Sequence, residues 1–246
     1  MGQCKGSLLA FLLAASGLAQ DGPPTATVGQ LTVRPIEHAT FVLSGGGTTI
    51  YVDPVGGGEA FAGLSSPDLI LITDIHGDHL DKPTIAAVAA EGTTVVAPRA
   101  VADRLGEWGG TTKILANGET TEIDGVSIEA IPMYNLTPER SQFHPKGRGN
   151  GYVVTLAGQR IYISGDTEDI PEMRALEGID VAFVCMNLPY TMDVDKAADA
   201  VLAFQPRVVF PYHYRGQGGL SDVERFRDLV SSNPKIEVRL LDWYPD

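Results

Sequence analysis

The chain has 246 residues, 43% of them hydrophobic and 20% charged, and a formal net charge of −13. That length and composition suit one large or two small globular domains, with a core that needs no covalent staples. The acidic balance argues against a nucleic-acid or anionic-membrane surface and is compatible with divalent cations.

The N-terminus differs from the rest. Met1–Lys5 carry one positive charge, and Ser7–Ala19 (SLLAFLLAASGLA) form an apolar run ending in small residues. The run is short for a bilayer span and has the build of a secretory signal peptide, residues 1–19, cleaved after Ala19. This predicts an exported protein, periplasmic or secreted, with no stable membrane association after cleavage; a retained anchor helix is the competing reading. Gly6 stands where N-myristoylation needs Ser or Thr. Residues 20–30 are expected to be a short linker and 31–246 one domain. Once the leader is removed, Cys185 is alone, so no intrachain disulfide can form. Its place after Val181-Ala182-Phe183-Val184 predicts a buried structural thiol.

Leu31–Arg34, Thr40–Leu43 and Thr48–Val52 read as opening strands, the last two joined by Gly45-Gly46-Gly47. Asp68–Thr73 (DLILIT) is a near-continuous apolar run, as a strand buried on both faces requires. Lys82–Glu91, with Pro83 in its first turn and Gly92 beyond its end, predicts a helix. Thr94–Ala97 is a short strand and Arg99–Trp108 a helix, while Thr121–Ile123 and Val126–Ile131 flank the Asp124-Gly125 hairpin signal. The second half repeats the rhythm: strands at Gly151–Leu156 and Arg160–Ile163, a short helix at Ile170–Leu176, and a strand at Asp180–Cys185. A helix at Val194–Phe204, a strand at Val208–Pro211, a helix at Asp222–Val230 and a strand at Ile236–Leu241 complete it. Two halves of strands followed by strand–helix alternation predict an α/β fold, a four-layer αββα sandwich.

The chain has five histidines: His38, His76, His79, His144 and His213. All sit near strand ends or in loops, where sites are built on rigid scaffolds. In ITDIHGDHLD, Asp74, His76 and Asp78 alternate in an extended segment and share one side, while His79 swings to a neighbouring position. One segment thus serves two adjacent ions, with ligands held at about 2.0–2.2 Å for zinc; a polar turn with Asp81 capping the next helix is the plain alternative. Ser164-Gly165-Asp166-Thr167 follows a strand, and Asp166 has two oxygens with which to bridge ions. Pro211-Tyr212-His213-Tyr214 offers one imidazole between two aromatics.

Together these segments resemble the metallo-β-lactamase superfamily of binuclear metallohydrolases, whose signature is H-x-H-x-D-H, then a later His, an Asp and a final His. The segments DLILITDIHGDHLD, FHPKGRGNGYVV, IYISGDTEDIPEM and VVFPYHY, with EHATFVL…IYVDP, are most similar to the branch of ascorbate-6-phosphate lactonase-like proteins and related metal-dependent hydrolases. The resemblance spans Leu31–Asp246 and implies the αββα fold with a site at the sheet edges. By it, His76 and the residue at 74 serve a first metal, Asp78, His79 and His213 a second, and Asp166 both; His38 lies near the site. Position 74 is Asp instead of His, and the intervening histidine has no clear counterpart. Asn135 stands near its place. His144, nine residues on, is open as a ligand, a substrate contact or a proton donor.

The expected ligands are therefore Asp74, His76, Asp78, His79, Asp166 and His213, for two divalent ions, Zn²⁺ or Mn²⁺ with Fe²⁺ as a further choice. The third carboxylate makes the first position harder, favouring Mn²⁺, Fe²⁺ or Mg²⁺. The expected reaction is hydrolysis of a small-molecule ester, lactone or phosphodiester by a metal-activated hydroxide. Asp78 would orient the hydroxide and His144 would donate a proton. His38, Asn135, Tyr190 and Thr191 are the candidate substrate contacts, and Lys146 and Arg148 stand near His144 to receive an anion. The rivals are a non-catalytic or mononuclear metal-binding protein and a redox di-iron protein.

Overall fold

A computed structural model describes residues 1–2 and 25–244. The leader expected at residues 1–19 therefore lies, beyond its first two residues, outside the described residues.

Strands β1 (Ala26–Val28), β2 (Leu31–Glu37), β3 (Thr40–Gly45) and β4 (Thr48–Val52) form an antiparallel run, and β5 (Leu69–Leu71), β6 (Thr94–Ala97) and β7 (Thr111–Ile114) extend it in parallel. The second sheet repeats the plan. β8 (Thr120–Ile123), β9 (Val126–Met133), β10 (Gly149–Leu156) and β11 (Gln159–Ile163) are antiparallel neighbours, and β12 (Val181–Cys185), β13 (Val208–Tyr212) and, further on, a short C-terminal strand (Glu237–Val238) continue in parallel. The expected linker is shorter than 20–30, because Ala26–Val28 pairs with Leu31–Val33 through a tight turn.

The period-2 alternation of strand side chains sorts the first sheet's residues between two cores. Phe41, Leu43, Ile50, Val52, Leu69, Leu71 and Val96 face the second sheet. Val42, Tyr51, Ile70, Val95 and Ala97 face outward, under helices α1 (Lys82–Val88) and α2 (Arg99–Leu105). This is why DLILIT is apolar throughout: both of its faces are covered. On the far side, α3 (Pro171–Arg174), α4 (Val194–Phe204) and α5 (Val223–Val230) lie against the second sheet, burying Met173, Ala197, Val201, Phe204 and Phe226. The four-layer αββα sandwich is the observed architecture. Phe41 of one sheet stacks on Phe183 of the other at 4.3 Å, and truncating either to alanine costs roughly 3–5 kcal/mol.

Most differences from the expected elements are at ends. α1 stops at Val88, not Glu91, because Ala89 is already extended. Its start follows the cap expected of Asp81, whose side chain accepts the Thr84 amide at 3.2 Å. Among the described residues no helix is long and apolar enough to cross a membrane.

Candidate active site

The parallel strands end at one edge of the sandwich, and the chemistry-bearing loops leave from those ends. β5 runs into Ile72-Thr73-Asp74, β11 into Ser164-Gly165-Asp166, and β13 into His213. The β2–β3 turn supplies His38, and the loop between β9 and β10 supplies His144 and Arg148. Two cross-sheet bonds register the halves: Tyr152 Oη donates to Ile72 O at 2.8 Å, and Asn150 N donates to Thr73 O at 3.0 Å. His38, Asp53 and His213 hold left-handed φ values of 54°, 45° and 47°, a strained backbone for non-glycine residues that concentrates at functional sites.

Among the described residues three donor groups result: Asp74, His76 and His144; His79, Asp166 and His213; and His38, Asp78 and His213. In the first, His76 Nδ1 lies 2.8 Å from Asp74 Oδ2, and His144 Nε2 lies 3.9 Å from the same oxygen. In the second, His213 Nε2 is 3.2 Å from Asp166 Oδ1 and His79 Nε2 3.5 Å from Asp166 Oδ2. Asp78 Oδ2 stands 3.4 Å from His213 Nε2 and 3.3 Å from His38 Nε2. Asp166 joins the groups, because its Oδ2 is also 3.2 Å from His144 Nε2.

These residues fit a pair of divalent ions. A tetrahedral ion with ligands at about 2.0–2.2 Å sets donors roughly 3.3–3.6 Å apart; the contacts around Asp166, His79, His213, Asp78 and His38 lie close to that at 3.2–3.5 Å, while those of the first group straddle it at 2.8 and 3.9 Å. His144 Nε2 and Asp166 Oδ1 are buried without a hydrogen-bond partner, an arrangement that proteins avoid unless something else binds there. The outer contacts orient the same atoms. Asp53, fully buried, accepts from Thr73 N at 2.7 Å and Thr73 Oγ1 at 2.6 Å, and takes His79 Nδ1 at 2.8 Å. That fixes the His79 proton on Nδ1 and leaves Nε2 for the cluster, the carboxylate–histidine arrangement of metal sites. His144 Nδ1 donates to Tyr190 O at 3.2 Å, and the Asn187 carboxamide sits 3.2 Å from Nδ1 of His213.

The electrostatics match. Burial works to raise the Asp166 carboxyl, but the His213, His79 and His144 imidazoles outweigh it and hold the group well below the usual carboxylate range. Asp78 is likewise held low against its burial by His79, His213 and His38. Burial works to lower His79, and Asp166, Asp53 and Asp78 outweigh it, raising its pKa well above the ordinary histidine value. His38 is lowered, chiefly by burial.

Above the cluster lies a cavity of about 290 Å³. His38, His76, Asp78, His144 and Asp166 form its floor; Phe143 and Tyr190, edge to face at 5.3 Å, form one wall; Asn187 and Arg215 complete it.

The structure brings every expected metal ligand together and corrects several other expectations. His144 groups with Asp74 and His76, its Nε2 aimed into the cluster 3.2 Å from Asp166 Oδ2 and its Nδ1 on Tyr190 O. Asn135 does not reach the cavity: its Nδ2 donates to Tyr190 O at 2.7 Å and Arg140 O at 2.9 Å, tying the His144 loop together. Thr191 is fully buried, its hydroxyl on the Asn187 side chain. Of the expected contacts Tyr190 and Thr191, Tyr190 lines the wall. Lys146 pairs with Glu172 at 2.8 Å, away from the cavity, and Arg148 pairs with Asp74. Cys185 is fully buried, its thiol pushed up to about 12 by burial. Asp53, Phe143, Asn187, Arg215 and Tyr244 escaped the sequence reading. For Asp53 the local signal was a carboxylate closing an apolar strand, in YVDP.

The model of the beta-lactamase superfamily domain family matches residues 32–213, from the second strand through the last metal-site histidine. The chain belongs to the metallo-β-lactamase superfamily. It is 34% identical over 218 residues to a UPF0173 metal-dependent hydrolase of Pyrococcus abyssi, covering 84% of this chain and 95% of that one. Against the UPF0173 metal-dependent hydrolase of Thermoplasma acidophilum it is 32% identical over 207 residues, 79% of this chain and 88% of the other. A solved chain from Parabacteroides distasonis superposes with a TM-score of 0.77 at 41% identity, covering 86% of this chain and 92% of that one. Igni18, a metallo hydrolase from Ignicoccus hospitalis, shares the fold at a TM-score of 0.73 and 23% identity, covering 86% and 95%.

Proposed function

We propose that this metal-dependent hydrolase of the superfamily cleaves a small ester, lactone or phosphodiester at a binuclear centre of Zn²⁺ or Mn²⁺, with Fe²⁺ a further choice. The observation that carries the reading is Asp166, which touches both groups: its Oδ2 lies 3.2 Å from His144 Nε2 of the first and 3.5 Å from His79 Nε2 of the second, and its Oδ1 lies 3.2 Å from His213 Nε2 of the second. Asp74, His76 and His144 would hold one ion; Asp78, His79 and His213 the other. When bound, the ions supply Lewis acidity, lowering the pKa of water and polarising a carbonyl or phosphoryl oxygen.

The protein's own groups do the rest. Asp78, 40% exposed and facing the cavity, orients the attacking water through its free oxygen. With His144 holding an ion, the proton carrier is His38: burial lowers its pKa, Tyr244 Oη holds its Nδ1 at 2.6 Å, and its Nε2 lies at the cavity 3.3 Å from Asp78 Oδ2. Phe143 and Tyr190 receive an apolar part of the substrate. Arg215 has no carboxylate partner among the described residues and stacks at 4.0 Å over Tyr244. It faces a site that is otherwise acidic, and supports a substrate carrying a negative group. The cavity volume limits that substrate to a small molecule. The signal-peptide-like sequence of residues 1–19, with its apolar run Ser7–Ala19, supports work outside the cytoplasm.

The test is a panel of esters, lactones and phosphodiesters assayed with Zn²⁺ and Mn²⁺. Asp78→Asn and His213→Ala should each abolish metal-dependent turnover. Activity retained in both purified variants would refute the assignment.

A further inference from the structure

The Asp at position 74 is completed by a residue 74 positions away. Arg148 Nε donates to Asp74 Oδ1 at 3.1 Å and its Nη2 to Oδ2 at 2.8 Å, a two-pronged pair. Asp74 is fully buried and the Arg148 side chain only 18% exposed. The same Nη2 also donates to Phe143 O, so the guanidinium edge that faces Asp74 is anchored to the backbone as well.

The backbone makes this meeting obligatory. β10 begins at Gly149, immediately after Arg148, and is docked on the residue preceding Asp74 through the Asn150 N to Thr73 O bond. A Cβ at Gly149 would meet Thr73 O at 2.9 Å, so only glycine lets the strand come this close. That approach sets Arg148 opposite Asp74.

We infer that Asp74 and Arg148 act as one unit, a carboxylate–guanidinium pair that takes the place of a neutral imidazole at the first position of the metal-binding signature. The charge consequence is direct. Asp74 alone adds one negative charge to the cluster, and the guanidinium cancels it, so the pair leaves the total that a histidine at 74 would leave. The electrostatic part of the preference for harder ions expected from a third carboxylate therefore disappears, and the harder oxygen donor remains. The geometric consequence follows from lone pairs. The two-pronged guanidinium occupies the lone pairs of both Asp74 oxygens on their shared side, where a single ion would be chelated, and leaves on each oxygen one lone pair directed away from the other oxygen; Oδ2 also lies 2.8 Å from His76 Nδ1. Asp74 is thus restricted to one-oxygen ligation, as a histidine would be. Arg148 is a positioning residue that touches no substrate.

The inference rests on the binuclear reading, and a double-mutant cycle separates the two. Asp74→His, Arg148→Gln and the double variant are compared with the wild type, with metal content by elemental analysis, Zn²⁺ and Mn²⁺ affinity by chelator competition, and melting temperature after chelation. Asp74→His alone strands the guanidinium beside imidazoles and should weaken one ion at least about ten-fold, the scale seen for lost outer-shell partners. The double variant, neutral for neutral, should recover most of that loss. The metal-free proteins should follow the same pattern, with the single variant melting lower and the double recovering. An equal effect of Asp74→His in both backgrounds, in affinity and in melting temperature, would overturn the pair. A wild type holding fewer than two ions would instead overturn the binuclear reading, and the metal-free melting cycle would still decide the pair.

Discussion

Asp53 touches no cavity, yet through His79 it is expected to set metal affinity. Its two oxygens receive Thr73 N, Thr73 Oγ1 and His79 Nδ1 at 2.6–2.8 Å, all fully buried. Asp53→Asn keeps the volume and tolerates the φ of 45°, since Asn is among the few residues at ease there. It exchanges one acceptor oxygen for an NH₂ donor. The Thr73 hydroxyl can rotate to accept, but one of the two remaining donors then faces another donor. If that donor is His79 Nδ1–H, the imidazole loses its orienting carboxylate and its basicity at Nε2. Such losses cost 10- to 100-fold in metal affinity, equivalent to about 1.4–2.7 kcal/mol. If the mismatch falls on the Thr73 amide, the fold loses roughly 1–3 kcal/mol, which lowers the melting temperature by about 2–4 °C per kcal/mol at this chain length. Chelator competition and thermal melting distinguish the two. Unchanged metal affinity together with an unchanged melting temperature would refute the orienting role.

Three further outcomes are expected. Arg215→Gln should raise KM for a negatively charged substrate roughly five- to ten-fold while kcat holds; an equal effect on a neutral analogue would refute charge recognition. Gly216→Ala should act in the same direction, because a Cβ there collides with Leu188 O and displaces the turn that carries Arg215; unaltered KM would show the turn does not position it. The metal-free protein should be most stable between about pH 4 and 6.5. The His79 contribution, with its pKa raised in the folded state, is complete below its unfolded value and lost as pH rises through the folded one. The Asp78 and Asp166 contributions, with pKa lowered, are present above their unfolded values and lost as pH falls through the folded ones. Melting curves with and without chelator at pH 6, 7.5 and 9 check this: the metal-free protein should fall with pH and the loaded protein should not.

Much of the fold was legible because burial writes itself into local pattern. DLILIT announced a strand covered on both faces, and Val194–Phe204 announced a helix whose bounds the structure reproduces. β7 (TTKI) was not found, since it is an edge strand with alternating exposure and no apolar run to mark it. The metal residues were legible because the chemistry demands His and Asp at strand ends. Their supporting contacts were not. Asn135 and Thr191 have the residue types of substrate contacts, but which way a loop side chain turns depends on partners such as Tyr190 O and Asn187. Arg148 read as a basic residue set to receive an anion because its partner, Asp74, is brought to it only when β10 of one sheet docks on the end of β5 in the other.

The central claim is that two ions sit on either side of Asp166. Crystals loaded with Mn²⁺ or Zn²⁺ and measured at the corresponding absorption edge test it directly. Two anomalous peaks about 3.5–4 Å apart are expected, one among Asp74, His76 and His144 and the other among Asp78, His79 and His213, with Asp166 between them. A single peak at saturating metal, or two peaks that Asp166 does not join, would contradict it.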